Sequence, residues 1–397
     1  MPLPTGKGEE YKAVMTSRPA IRFPLMAVSM IALLAGMWAG LLRLGWAVSM
    51  TRTGLLVAHG PLMVSGFLGT LISLERAVAL GRRWPYAAPV LTALGALGLL
   101  LDVPAPIASA AITLGSVLLL ATFVIIIRTQ PALFTVTMGV GVVAWVVGNA
   151  LWLAGWPVFE VTSWWLGFLV LTIAGERLEL SRLLPRSAGN ESAFLILVVV
   201  LWAGLSVGGF ASADGARVTG IALLALTVWL LRHDVARRTV KQAGLTRFVA
   251  VCLLSGYVWL GVGGLLSIIF GRAIAGLQYD AVLHAVFLGF VFAMIFGHAP
   301  IIFPAVLGLQ IPFGPAFYAH LALLHLSLVL RIGGDLSAML AVRQWGGVLN
   351  VAAVLFFLAN TAYAVRQGRR TVMRPAAPIA RPSDAQQFAA AHDRSTS

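Results

Sequence analysis

Five histidines and three carboxylates of this 397-residue chain lie in or beside long apolar runs, where an ionisable side chain is costly to bury. Insertion of one such charge at membrane depth costs about 2.5 kcal/mol or more, so each of these residues is a candidate functional group. They are His59, His284, His298, His320 and His325, together with Glu75, Glu176 and Asp280. Two further histidines, His233 and His392, fall in a basic loop and a polar tail, and we expect them to be solvated.

His59 and His284 each stand near the start of an apolar run, and the pattern places them at nearly the same depth. His59 lies seven residues before Gly66 and His284 five residues before Gly289, two glycines that occupy the same place in a repeated motif. At 1.5 Å per residue the two histidines differ in depth by about 3 Å. Because each residue of a helix advances about 100°, the two-residue offset also turns the two side chains about 200° apart. The two helices must therefore rotate in opposite senses for both histidines to face one gap.

Two imidazoles that face each other in apolar and aromatic surroundings suit the axial ligation of a b-type haem. Asp280, one helical turn before His284, is expected to orient that imidazole or to cap the helix. The alternative is that His59 and His284 are separate interhelical hydrogen-bond partners, and the residue pattern favours neither interpretation.

Glu75, Glu176 and His298 hold equivalent positions in three copies of the motif, so we expect them to converge near the inner face. Two carboxylates and an imidazole suit a second metal such as non-haem iron, manganese or copper. His320 and His325 are candidates for a further ligand. The competing interpretation is that the two glutamates pair with neighbouring arginines, and we favour it because an arginine is a cheaper partner than a metal.

The motif itself indicates an internal repeat. A pattern of Gly-Phe-Leu, then Ile, then Glu-Arg begins at Gly66 and again at Gly167 with identical spacing, and a weaker copy begins at Gly289. The copies fall in the second, sixth and tenth apolar runs, which predicts three successive four-helix units with threefold pseudo-symmetry. The predicted units are about 23–127, 132–232 and 248–366.

The composition requires membrane spans, since 59% of the residues are apolar and 11% are charged, which excludes a water-soluble enzyme. The single cysteine, Cys252, excludes a disulfide framework or a thiolate metal cluster within the chain. We predict an all-α, multi-pass membrane protein of about twelve helices, with ten or eleven as the alternative because the third and eighth runs are short. The predicted spans are 23–47, 54–80, 86–101, 106–127, 132–155, 162–181, 192–210, 217–231, 248–270, 281–303, 314–332 and 344–365.

The net charge of +14 is explained by the membrane, and no nucleic-acid partner is expected. With both termini in the cytoplasm, 22 of the 28 Lys and Arg residues fall on the inner side. The six on the outer side are Arg43, Arg52, Arg217, Arg272, Arg331 and Arg343. Residues 1–22 are predicted to form a cytoplasmic tail without a signal peptide, 23–366 a single transmembrane domain, and 367–397 a disordered cytoplasmic tail.

These features resemble subunit I of the haem-copper oxidases: twelve spans in three groups, a His-Gly-x-x-Met-Val motif from His59, and a second outer-side histidine in the tenth run. The resemblance implies that His59 and His284 ligate a haem b in a bacterial cytoplasmic membrane, with a quinol or a cytochrome as electron donor. The segment from His284 to Gly289 also resembles the start of a late helix in the NnrS family, membrane proteins associated with the nitric oxide response, haem and copper.

The chain also departs from the oxidases. Its sixth and seventh runs contain no histidine, so the ligands of an oxidase-type copper are missing. His284 and His298 are 14 residues apart, or about 21 Å along a helix. We therefore expect no reduction of dioxygen or nitric oxide at a binuclear centre.

Two other functions compete with the haem hypothesis. The first is a proton- or ion-coupled transporter that uses Glu75, Glu176 and His298. The second is a structural subunit that stabilises a larger assembly. The sequence leaves open the substrate, the oligomeric state and whether the protein is an enzyme.

Overall fold

The computed structural model describes residues 20–46, 54–182 and 187–373, and within these ranges the chain is helical and has no strand. The predicted tails lie largely beyond them, at 1–19 and 374–397. Twelve long helices in the described ranges follow the twelve predicted apolar runs. They are α1 (Arg22–Arg43), α2 (Gly54–Leu80), α3 (Trp84–Leu100), α4 (Ala105–Thr129), α5 (Leu133–Leu153), α6 (Val158–Leu180), α7 (Ala188–Ser206), α8 (Ala213–His233), α9 (Gly244–Phe270), α10 (Gly276–Leu307), α11 (Ala316–Leu336) and α12 (Leu340–Met373).

Eleven of these twelve helices are long and apolar enough to cross a membrane. The exception among the described helices is α3, which is shorter and opens with a 3₁₀ turn over Trp84–Tyr86. The all-α, multi-pass fold is therefore confirmed, and one of the two short predicted runs is the one that falls below spanning length. We call the end of the bundle where α1 ends and α2 begins the outer end, following the predicted orientation.

The helices pack in the order in which the chain presents them. Each helix contacts the next along the sequence, and α12 returns to contact α1, so the bundle closes. The three helices that carry the repeated motif, α2, α6 and α10, also contact one another. Residues from one motif helix can therefore reach residues of the other two at both ends of the bundle.

Two of the three motif helices contain an eight-residue π-helical segment. These segments are Leu62–Gly69 in α2 and Ala285–Phe292 in α10, and the motif glycine is the fifth residue of each. The helix α6 has no such segment and is α-helical over its whole length. A neighbouring side chain supplies a hydrogen bond to the backbone of the first segment: the Ser29 hydroxyl of α1 donates to the Phe67 carbonyl oxygen at 3.1 Å. π segments are frequent at functional sites, and both begin within three residues of a candidate histidine.

Candidate functional site

The structure brings His59 of α2 and His284 of α10 side by side at the outer end of the bundle. Their ring centroids are 6.3 Å apart, and the two ring planes are inclined by 27°. The histidines are more than 200 residues apart in the chain, and they meet because α2 and α10 are adjacent.

The His59 ring is held against α1. Its Nδ1 atom lies 2.7 Å from the backbone carbonyl oxygen of Gly36. The ring also lies close to Gly40, where a Cβ atom would be 3.1 Å from the ring carbon Cε1. A carbonyl oxygen only accepts, so Nδ1 carries the hydrogen and Nε2 keeps a free lone pair.

His284 is held by its own helix in the same tautomer. Its Nδ1 atom lies 2.9 Å from the carbonyl oxygen of Asp280 and 3.3 Å from the Asp280 carboxylate. Among the residues that the structure describes, neither Nε2 atom of the histidine pair has a hydrogen-bond partner. Two imidazoles with anchored Nδ1 atoms and available Nε2 atoms are the usual state of histidine ligands.

Asp280 connects the histidine pair to two arginines. Its carboxylate accepts two hydrogen bonds from Arg331, at 2.8 and 2.9 Å, and lies 3.7 Å from Arg343. Arg343 also forms an ion pair of 2.8 Å with Asp335. The bidentate contact fixes the Asp280 side chain, so the residue that faces His284 Nδ1 is itself oriented.

A cavity of about 1080 Å³ opens between the outer ends of the helices, and the histidine pair lies in its wall. Its volume is slightly above the range of about 300–1,000 Å³ that is typical of small-molecule sites. Arg43, Arg331 and Arg343 line it, with Asp280. Aromatic side chains supply much of its apolar wall: Trp152, Trp156, Phe159, Trp165, Phe287 and Phe292.

The separation of the two rings can be compared with that of two imidazoles bound to one metal ion. An imidazole nitrogen binds a transition metal such as zinc at about 2.0–2.1 Å and lies about 1.1 Å from its own ring centroid, so two axial imidazoles place their centroids about 6–6.5 Å apart. The observed 6.3 Å falls in this interval. A porphyrin requires a large apolar space around that position, which the cavity provides.

At the inner end the two predicted glutamates meet an arginine. The Nη2 atom of Arg76 contacts the Glu176 carboxylate and lies 3.5 Å from the Glu75 carboxylate. His298 is placed beside Arg177, with 3.5 Å between its Nε2 atom and the guanidinium. The two glutamates therefore lie beside Arg76, as the ion-pair interpretation expects. His298 lies beside a different arginine, Arg177.

Asp234, a residue that the sequence did not single out, completes the inner end. Arg177 donates to both oxygens of the Asp234 carboxylate, at 2.7 and 3.1 Å. The Tyr257 hydroxyl donates to the same carboxylate at 2.6 Å. In the sequence Asp234 lies within a basic loop, and nothing in the sequence distinguishes it from a solvent-exposed acid that neutralises nearby arginines.

His320 and His325 of α11 lie apart from the glutamates. The Nδ1 atom of His325 accepts a hydrogen bond of 2.9 Å from Trp259, and its Nε2 atom lies 2.9 Å from the Ser255 hydroxyl. His320 is buried among phenylalanine rings, and neither ring nitrogen has a hydrogen-bond partner in the described ranges. No three His, Cys, Asp or Glu side chains in those ranges are grouped to hold a metal ion. The second metal therefore stays a prediction.

Comparison with known proteins gives one match. The chain matches a protein family over residues 22–366, and the description of that family is "Domain of unknown function (DUF8744)". No curated protein and no solved structure matches the chain. The resemblance to the haem-copper oxidases and to the NnrS family therefore stays a prediction.

Proposed function

Because the chain belongs to this family, whose description carries no activity, we propose a function from the site itself. The protein is an integral membrane haem b protein in which His59 and His284 are the two axial ligands. Its role is redox, in electron transfer or in a response to nitric oxide. The observation that supports it is the 6.3 Å separation of two imidazoles in the wall of one cavity.

The competing interpretation, two separate hydrogen-bonding histidines, accounts for less of the geometry. His284 contacts a carbonyl of its own helix, so its hydrogen bond joins no pair of helices. Hydrogen bonding also gives no reason for two available Nε2 atoms in the wall of the same cavity. Both histidines line the cavity, so a ligand that occupies it can reach them.

The surrounding residues have distinct tasks in this proposal. Gly36 and Asp280 hold the Nδ1 atoms, so each imidazole presents Nε2 in a fixed direction. Arg331 holds Asp280, and Arg43 and Arg343 supply positive charge for the two propionate carboxylates of a haem. The aromatic wall keeps water away from the centre. A haem held by His59 and His284 would supply one-electron chemistry.

The partners follow from the same reasoning. One-electron chemistry near the outer face requires a donor, and a membrane quinol or a soluble cytochrome is the proposed class. The lipid bilayer surrounds the bundle, and in this proposal the shorter helix α3 crosses it together with the eleven helices of spanning length, which makes twelve crossings. We propose the cytoplasmic membrane of a bacterium as the location, with both termini on the inner side, on the basis of the charge distribution and the resemblance.

The test is the optical spectrum of the full chain purified from haem-replete cells. We expect the spectrum of a six-coordinate b haem, and its loss in His59→Gly and His284→Gly. Added imidazole is expected to restore the spectrum in both variants, because each retains a space of imidazole size beside an intact partner.

Two other histidines provide matched controls. His233→Gly removes an imidazole at the inner end of α8, and His325→Gly removes one that is fully bonded within the bundle. Both are expected to keep the haem spectrum. A colourless wild-type protein, or a spectrum that survives in His59→Gly and His284→Gly without added imidazole, would overturn the proposal.

A further inference from the structure

Glu75, Arg76 and Glu176 form a group of half-buried charges that do not cancel. Glu75 and Arg76 are on α2, and Glu176 is on α6. The exposed fractions of their side chains are 25%, 12% and 21%. One atom, Nη2 of Arg76, contacts both carboxylates, while Nε of the same guanidinium is buried without a hydrogen-bond partner. Both carboxylates therefore depend on one NH₂ group of a single guanidinium, and the three residues carry a net charge of minus one if both carboxylates are ionised.

The neighbouring charges do not supply the missing cation. Arg177 is committed to Asp234 through two hydrogen bonds, and Tyr257 adds a third to the same carboxylate, so this pair is neutral as it stands. Glu179 lies one turn further along α6 and adds negative charge. An uncompensated charge at this depth is unfavourable, since the low dielectric gives it little solvation.

His298 of α10 is also unsuited to carry the compensating charge. Its Nδ1 atom lies 2.8 Å from the Met294 carbonyl oxygen, so Nδ1 carries the ring hydrogen. Its Nε2 atom faces the Arg177 guanidinium at 3.5 Å. A guanidinium is only a donor, so Nε2 must be an acceptor, and a second ring proton would point at a positive charge.

We propose that Glu75 and Glu176 bind one proton between them, so that the inner ends of α2 and α6 form a proton-binding site beside Arg76. Glu176 stays ionised in contact with Arg76, while the proton forms an O–H bond on Glu75, which lies further from the guanidinium. Two neighbouring carboxylates that share one site generally hold one proton in this way. The partial exposure of both glutamates lets the proton come from the inner aqueous side.

This site is separate from the histidine pair. Glu75 follows His59 by 16 residues on the same helix, or about 24 Å along the axis. The inference therefore stands whether or not the protein binds haem.

The experiment is infrared spectroscopy of the full chain in lipid nanodiscs at neutral pH. We expect the carbonyl stretch of one protonated carboxylic acid, with the small downward shift in D₂O that identifies an exchangeable O–H. The single variants Glu75→Gln and Glu176→Gln should each abolish this band. In either variant the remaining glutamate has Arg76 to itself and ionises.

Glu191→Gln is the matched control, since Glu191 is an exposed carboxylate in the first turn of α7 and should leave the band unchanged. The size-exclusion profile of each variant shows that it is folded. The proposal is overturned if the folded wild-type protein lacks the band, or if the band persists in Glu75→Gln and Glu176→Gln.

Discussion

The His59 imidazole donates its Nδ1 hydrogen to the backbone carbonyl of Gly36, 2.7 Å away on the neighbouring helix α1. The acceptor is a main-chain atom in the middle of a helix, so it cannot turn away as a side chain could. Gly36 and Gly40 are four residues apart and lie on one face of α1. The absence of a side chain leaves room for the His59 ring at Gly40 and for the Met63 side chain at Gly36, so α1 can approach α2 closely.

Gly40→Ala tests this contact. The new Cβ atom would lie 3.1 Å from Cε1 of His59, so the ring must tilt or move by a few tenths of an ångström. Displacement of a ligand's support typically lowers metal affinity about 10- to 100-fold. We expect haem content per protein to fall and the low-spin electron paramagnetic resonance spectrum to change.

Gly333→Ala is the control for that substitution. A Cβ atom at Gly333 in α11 meets no atom within 4 Å, so the change should stabilise the helix by about 0.5–1 kcal/mol and leave haem content unchanged. Equal haem content and identical resonance spectra in Gly40→Ala and wild type would contradict the assigned orientation of His59.

Asp280→Asn tests the link between His284 and the arginines. The substitution removes a negative charge beside the imidazole and leaves Arg331 without its carboxylate partner. Both changes disfavour the oxidised, more positive state of a bound haem. We expect the midpoint potential to rise by about 60 mV, a tenfold change for a one-electron couple.

The measurement is a potentiometric titration followed by absorbance. Asp214→Asn, which removes an exposed carboxylate in the first turn of α8, should leave the potential unchanged. A fall in potential in Asp280→Asn would contradict the proposed role of Asp280.

His320→Phe is expected to raise stability. Both ring nitrogens of His320 are buried without partners, and Phe296, Phe317 and Phe357 surround the ring. Replacement of an unsatisfied buried polar group by an apolar one of similar shape removes a penalty of about 1–3 kcal/mol. We expect a higher melting temperature in detergent and unchanged metal content.

His325→Phe should give the opposite result, because it breaks the hydrogen bonds with Trp259 and Ser255. If His320→Phe instead lowers the melting temperature or removes a bound metal, His320 has a partner that its packing does not reveal.

Asp234→Ala should be severely destabilising. The substitution leaves the Arg177 guanidinium, which is 3% exposed, without its carboxylate. Removal of one partner from a buried ion pair costs about 3–5 kcal/mol. Thermal unfolding in detergent should show a loss of several degrees in melting temperature.

Asp214→Ala is the comparison for that loss. The Asp214–Arg217 pair is 4.0 Å long and solvent-exposed, and such a pair contributes about 0–1 kcal/mol. Equal melting temperatures for Asp234→Ala and Asp214→Ala would show that the buried pair does not stabilise the inner end.

Hydropathy predicted the helices well because apolar length is a local property. The predicted span 54–80 coincides with Gly54–Leu80. The last helix extends to Met373, beyond the predicted limit of 365, because a helix can continue into charged sequence after the apolar run has ended. Hydropathy therefore locates the membrane crossing of a helix better than its end.

The similar depth of His59 and His284 could be predicted by counting residues to a shared motif, whereas the π winding of the two helices could not. The count of about 100° per residue assumes an unbroken α-helix, and both helices contain a π segment between the histidine and the end of the motif. A change in hydrogen-bond register leaves no signature in the apolar pattern. Because the motif glycine is the fifth residue of both segments, the segments alter the two counts equally, and the offset of about 200° inferred from the sequence stays a prediction.

The arginines of the cavity were visible in the sequence but were not recognised. Arg43, Arg331 and Arg343 are three of the six basic residues on the outer side, against the general bias of the chain. Their common position on one cavity depends on how α1, α11 and α12 pack. Basic residues that oppose the positive-inside rule are a signal that could have marked this site.

The winding of each π segment determines the direction in which the preceding helical turn and its histidine point. Eight π-helical residues turn the chain about as far as seven α-helical ones, so deleting one residue from 285–292 would let that stretch wind as an ordinary α-helix while the preceding turn, with His284, keeps its direction. The composition and apolarity of α10 would hardly change. Each π segment therefore accommodates one extra residue, and a single deletion within it should leave the two imidazoles together and the membrane topology intact.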